Sequence, residues 1–155
     1  MVKMLALGFT VLSFTGTLLA ADAFTGTWKL NVAASQYAAG MAPKDVTVVV
    51  AEKGADMTVS ATGTAGDGKP MSVKYSMPLK GGPLSYTEGA PASGVTTTIK
   101  RVNASTIDST SSLNGKEVGS THAVVSADGK TLTRTVKGVD AQGKAFQNTE
   151  VYERQ

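Results

Sequence analysis

Turn residues recur through this chain about every ten positions, and no other feature limits its fold so tightly. Gly66-Asp67-Gly68, Asn114-Gly115, Asp128-Gly129 and Gln142-Gly143 punctuate stretches rich in Thr and Val. Gly and Asn accept the left-handed backbone that a tight hairpin needs, and β-branched residues suit a pleated surface. The pattern predicts an all-β domain with strands over 26–31, 44–52, 56–63, 70–77, 84–88, 95–102, 105–112, 116–125, 130–138 and 144–154. Only "NVAASQYAAGMAPK" (31–44) departs from it, and is expected to hold one helical turn near Val32–Gln36 followed by a loop. The segments 57–69 and 132–144 align at an offset of 75, sharing Thr58/Thr133, Gly63/Gly138, Gly68/Gly143 and Lys69/Lys144. Repeated hairpin chemistry accounts for that likeness, and it is too irregular for a solenoid.

The first 23 residues are of another kind. Lys3 precedes an apolar stretch from Met4 to Leu19, and "ADA" (21–23) puts small residues where a signal peptidase expects them. Residues 1–23 are therefore expected to be a signal peptide cut before Phe24, with cuts after Ala20 or Ala21 also allowed. Residues 24–155 form the domain. The rival reading, an uncleaved anchor, has too short a stretch and no basic cluster after it. An exported chain, periplasmic or secreted, follows, with no stable membrane insertion once the leader is gone. It contains no Cys, so no disulfide supports the core.

Loop lengths fix the register of the hairpins. A three-residue loop ending in left-handed Gly sets Ala65 opposite Lys69, Ser126 opposite Lys130 and Asp140 opposite Lys144. Met57, Val59, Ala61 and Gly63 then face Met77, Tyr75, Val73 and Met71, an apolar inner face. Leu132, Arg134, Val136 and Gly138 face Tyr152, Glu150, Asn148 and Phe146. The Asn114-Gly115 turn sets Ile107 across from His122, and the Ala127-Asp128-Gly129 loop sets Val124 across from Leu132 and His122 across from Arg134. A row of Glu150, Arg134 and His122 is thus expected inside, with Ser109, Ser111, Ser120 and Asn148 adding polarity. Buried charges must be paired or hydrogen-bonded. Such a row is either a self-satisfied salt bridge in a filled interior or a polar ligand contact, and a slip of one residue would move it outside.

Other chemistries find little support. The full chain carries a net charge of +3 with its Lys residues scattered singly, which argues against nucleic acid as a partner. His122 is the only His, and with no Cys and no clustered carboxylates a metal site is not expected; no cofactor is expected either. "GTAGDG" (63–68) lies between two strands with no helix to follow, so the logic of a phosphate loop fails. No nucleophile motif is present. An enzyme using His122 and Glu150 as an acid–base pair is the weakest reading.

"GTWKL" (26–30) followed by "VYER" (151–154) resembles the calycin superfamily, meaning lipocalins and intracellular fatty-acid-binding proteins. "FTGTWKLNVAASQY" and "SADGKTLTRTVKGVDAQGKAFQNTEVYERQ" are similar to small exported bacterial lipocalin-like proteins. The resemblance implies an up-and-down antiparallel β-barrel of about 8–10 strands, its last strand returning beside the first. It implies that Trp28 plugs one end with Arg154 packed on it, as structural barrel closure. It also implies a small amphipathic molecule or lipid as the partner held inside. In the fatty-acid-binding branch, an Arg-x-Tyr on the last strand holds the ligand carboxylate. Here Tyr152 is kept but Glu150 stands at the Arg position, where it would repel a carboxylate or neutralise Arg134. The candidate ligand-binding residues are Arg134, Glu150, His122, Tyr152, Tyr75, Ser120 and Phe146. The alternative is a structural or protein-interaction barrel with a filled interior.

Overall fold

A computed structural model describes residues 22–140 and 142–155; most of the expected leader lies outside the described residues. Eleven antiparallel strands follow one another: β1 (Gly26–Leu30), β2 (Asp45–Lys53), β3 (Asp56–Thr64), β4 (Pro70–Pro78), β5 (Gly82–Pro83), β6 (Ser85–Glu88), β7 (Val95–Asn103), β8 (Thr106–Leu113), β9 (Lys116–Val125), β10 (Thr131–Val139) and β11 (Ala145–Arg154). The spatial order is β5-β7-β8-β9-β10-β11-β1-β2-β3-β4-β6. Residues 82–88 close the ring. Gly82–Pro83 pairs with β7, the Leu84 N–H donates to Thr97 O at 2.8 Å, and Ser85–Glu88 then crosses to β4. The expected all-β, up-and-down barrel is present, with one strand more than the upper expectation.

Alternation carries the core. Val46, Val48 and Val50 are buried on β2 while Val49 between them is exposed, as a strand walled on one side requires. Trp28 and Met57 are wholly buried, joined by Val59, Met77, Ile99, Ile107, Val125, Leu132 and Tyr152. The first and last strands lie together, with Trp28 opposite Arg154 and Leu30 opposite Tyr152. In place of the helical turn expected near Val32, residues 32–34 make a hydrogen-bonded turn in which the Ser35 N–H donates to Val32 O at 3.2 Å and Asn31 Oδ1 accepts from the Ala34 N–H at 3.0 Å. The segment then runs along β11, and Gln36 and Thr149 exchange backbone hydrogen bonds of 2.7 Å.

The two hairpins closed by Gly68 and Gly143 keep the expected register, including Val59 opposite Tyr75 and Arg134 opposite Glu150. The register of β9 does not hold. Leu132 pairs with Val125 rather than Val124, and Ile107 pairs with Ala123 rather than His122. Both departures are one residue and turn the strand the same way. On the β8 side, Ser112 faces Glu117 and Ser111 faces Gly119, so Val118 is an unpaired bulge residue. On the β10 side, the loop has four residues, because Ser126 bonds Thr131 instead of Lys130. Asp128 holds that loop by accepting from the Ser126 hydroxyl at 2.6 Å and the Lys130 N–H at 3.0 Å. The Lys130 carbonyl is thereby freed to accept from the Arg154 N–H at 2.9 Å. A long-range demand from β11 thus sets this turn.

Candidate functional site

One end of the barrel is filled. The Trp28 ring lies beneath Arg154, whose Cζ is 4.1 Å from the ring centroid, and its Nε1 donates to Phe24 O at 2.8 Å. The Arg154 guanidinium spends its donors on main-chain carbonyls: Nε on Gly129 at 2.5 Å, Nη2 on Ala23 at 2.6 Å, and Nη1 on Thr25. Gly26 is required here, since it has a φ of 133° and a Cβ would sit 2.5 Å from Arg154 Nη1. Arg101 completes the plug: Nη2 meets Asp22 Oδ2 at 2.6 Å, Nε donates to Leu79 O at 3.1 Å, and Cζ lies 5.6 Å from the Phe24 ring. Trp28 and Arg154, the residues expected to close the barrel, thus lie together at this end.

Above the plug the interior opens. A small apolar chamber of about 100 Å³ lies against Phe24, Ile99, Ile107 and Leu132. It leads to a larger cavity of about 540 Å³ that extends to Tyr37, Met41 and Pro43 of the 31–44 segment and to Phe146. Val48, Val59, Tyr75, Arg134 and Tyr152 line both, so they form a belt at mid-height. Arg134 and Glu150 are cross-strand partners, with Nη1 and Oε2 3.0 Å apart. The same Oε2 accepts from the Tyr152 hydroxyl at 3.2 Å. Arg134 is surrounded by the wall yet keeps 34% of its side-chain surface open, and that surface faces the cavity.

Electrostatics follow from this enclosure. Burial opposes the Arg134 charge, but Glu150 first, then Tyr152 and Tyr75, more than offset it, so the guanidinium holds its proton more tightly than usual. Burial raises the Tyr152 and Tyr75 hydroxyls, with Arg134 pulling the other way in both. Tyr37 is pushed up to about 12, by burial and then by the Glu150 carboxylate. Its hydroxyl is buried and has no hydrogen-bond partner among the described residues. The Ser35 hydroxyl beside it lowers the Tyr37 pKa, and itself donates to Asn31 O at 2.7 Å and accepts from the Val151 N–H at 2.9 Å.

Five of the seven expected ligand-binding residues therefore line the cavity: Arg134, Glu150, Tyr152, Tyr75 and Phe146. His122 and Ser120 do not. The turned β9 sets His122 opposite Thr135 and Ser120 opposite Lys137, on the outer wall. There His122 Nδ1 lies 2.6 Å from Asp108 Oδ1, in an exposed pair. Thr121 and Ala123 take the inward positions. The expected three-membered row is thus a pair, and His122 and Glu150 lie on opposite faces of the wall. Among the described residues, no three His, Asp or Glu side chains converge as a metal site would need. Sequence reasoning missed Tyr37. Its signal was that it is the lone aromatic residue in a run of small ones.

No family model matches this chain, and a search of curated proteins also finds no match. Three solved structures are similar in part. EF1p2_mFAP2b bound to DFHBI is 15% identical over 88% of this chain and 97% of its own, with a TM-score of 0.49. The redesigned β-barrel mFAP1 bound to DFHBI is 13% identical over 87% and 98%, with a TM-score of 0.45. Zebrafish ileal bile acid-binding protein complexed with cholic acid is 12% identical over 86% and 99%, with a TM-score of 0.38. The fold rests on the strand register and closure described above rather than on these likenesses.

Proposed function

We propose that this domain is a carrier barrel that holds a small amphipathic molecule in its interior. The observation that carries this reading is the cavity of about 540 Å³, within the size range of small-molecule sites. Its walls are mostly apolar, and one charge pair offers polar contacts at mid-height. A barrel serving only as a scaffold gains nothing from leaving Arg134 open to an internal space, because unfilled space forfeits packing. Native mass spectrometry of the protein purified from its own cells tests the reading. An adduct of a few hundred daltons that leaves on denaturation is expected; a clean apo mass from freshly isolated protein contradicts it.

The carrier is proposed to work outside the cytoplasm, on the strength of the leader-like sequence of residues 1–20. The plug geometry favours the cleavage sites after Ala20 or Ala21 over the one before Phe24. Asp22 bonds Arg101, accepts from the Phe24 N–H at 3.0 Å, and donates its own N–H to Glu52 Oε1 at 2.7 Å. A cut before Phe24 would remove these contacts and place a charged amine beside Arg154 and Arg101. Intact-mass measurement of the exported protein should find Ala21 or Asp22 first, and a chain beginning at Phe24 would contradict this.

A further inference from the structure

The polar pole of the cavity is a charge pair, which has different consequences from a lone cation. Glu150 Oε2 receives both Arg134 Nη1 and the Tyr152 hydroxyl, so the guanidinium arrives at the cavity already neutralised. An entering carboxylate meets Glu150 as well as Arg134. Two carboxylates sharing one guanidinium away from bulk water repel each other, and one must stay solvated or take up a proton. An uncharged polar group meets no such penalty. A guanidinium has five N–H donors, and a carboxylate about four lone-pair sites, so the pair keeps capacity for further hydrogen bonds.

Tyr37 supplies the second observation. Its buried hydroxyl lines the same cavity without a partner among the described residues, and buried hydroxyls without partners are unfavourable. It lies close enough to feel both Glu150 and Arg134. A ligand hydroxyl between them would engage all three groups, donating to Glu150 while its two lone pairs accept from Tyr37 and Arg134.

We propose that the pole selects an uncharged, hydroxyl-bearing amphiphile, and that Glu150 is the specificity residue that turns carboxylates away. This rests on the carrier reading, whose failure can be told apart from its own. The probes are 2-naphthol and 2-naphthoate, which share one apolar body and differ in charge at pH 7. Calorimetry on the wild-type protein should show 2-naphthol bound at least about tenfold more tightly. Glu150→Gln keeps the shape and removes the charge, so naphthoate should gain about tenfold and the preference should vanish. Tyr37→Phe should weaken 2-naphthol several-fold. Wild-type protein that binds naphthoate as tightly as 2-naphthol overturns the proposal while leaving the carrier intact. A folded Glu150→Gln variant with unchanged preference does the same, and if that variant does not fold, the wild-type ratio decides alone. Wild-type protein that binds neither probe overturns the carrier reading and this inference together.

Discussion

Two arginines on neighbouring strands of this barrel have opposite surroundings. Arg154 at the plug is covered by the chain itself: three carbonyls take its donors and an indole takes its face. Arg134 at mid-height has one carboxylate within salt-bridge reach and a hollow beside it. The first arrangement is what a structural residue needs, since every polar atom is satisfied without help. The second leaves hydrogen-bonding capacity facing a space that something else must fill. The same contrast separates the plug, with Trp28 and Met57 wholly buried, from the half of the barrel beneath Tyr37.

The contrast breaks most sharply at Trp28. Trp28→Ala removes the plug and should cost about 3–5 kcal/mol of stability, read by urea unfolding. Arg154→Met should cost about 2–3 kcal/mol, because it strands the carbonyls of Gly129, Ala23 and Thr25. A change in the hollow half should go the other way. Tyr37→Phe removes an unpartnered hydroxyl and should raise stability by about 1 kcal/mol while weakening 2-naphthol.

That variant also has a pH signature. Folding raises the Tyr37 pKa from its ordinary 10.0 to about 12, so the folded state holds the proton more tightly. The contribution is fully present below pH 10. Between pH 10 and 12 the unfolded chain ionises first and stability falls. Tyr75 and Tyr152 shift in the same direction, so Tyr37→Phe should make the alkaline decline shallower without abolishing it. Unfolding measured at pH 8 and pH 11 checks this. The smallest effect belongs to the outer wall: His122→Ala should change stability by less than ~0.5 kcal/mol and leave probe binding unaltered, since its pair with Asp108 is exposed. A large loss of binding in that variant would restore the inward row.

The parts of this architecture visible in the sequence are those set by local chemistry. Gly68 and Gly143 end loops whose flanking strands keep the register that loop length sets, so the pairing of Val59 with Tyr75 and of Arg134 with Glu150 could be counted directly. The contact of Trp28 with Arg154 was legible through the resemblance of the two ends. The facing of β9 was not. The bulge at Val118 is marked only by the isolated strand glycine beside it, Gly119, which does not say which way the register shifts, and the 126–131 turn is lengthened by Arg154, which takes the Gly129 and Lys130 carbonyls from 24 or more positions away. Tyr37 escaped notice because its burial depends on a loop laid along β11, held where Asn148 Oδ1 accepts from the Ala38 N–H at 2.9 Å.

The central claim is that one end of this barrel is filled and the other half is hollow and open to small molecules. The chain contains no Cys, so single cysteines report without background. Val136→Cys places a thiol on the cavity wall, and Met57→Cys places one in the filled end. Under native conditions a small methanethiosulfonate should label the Val136→Cys protein readily, with 2-naphthol slowing the reaction, and should label Met57→Cys only at the rate of global unfolding. Equal protection at the two sites, or equal labelling, would contradict the account.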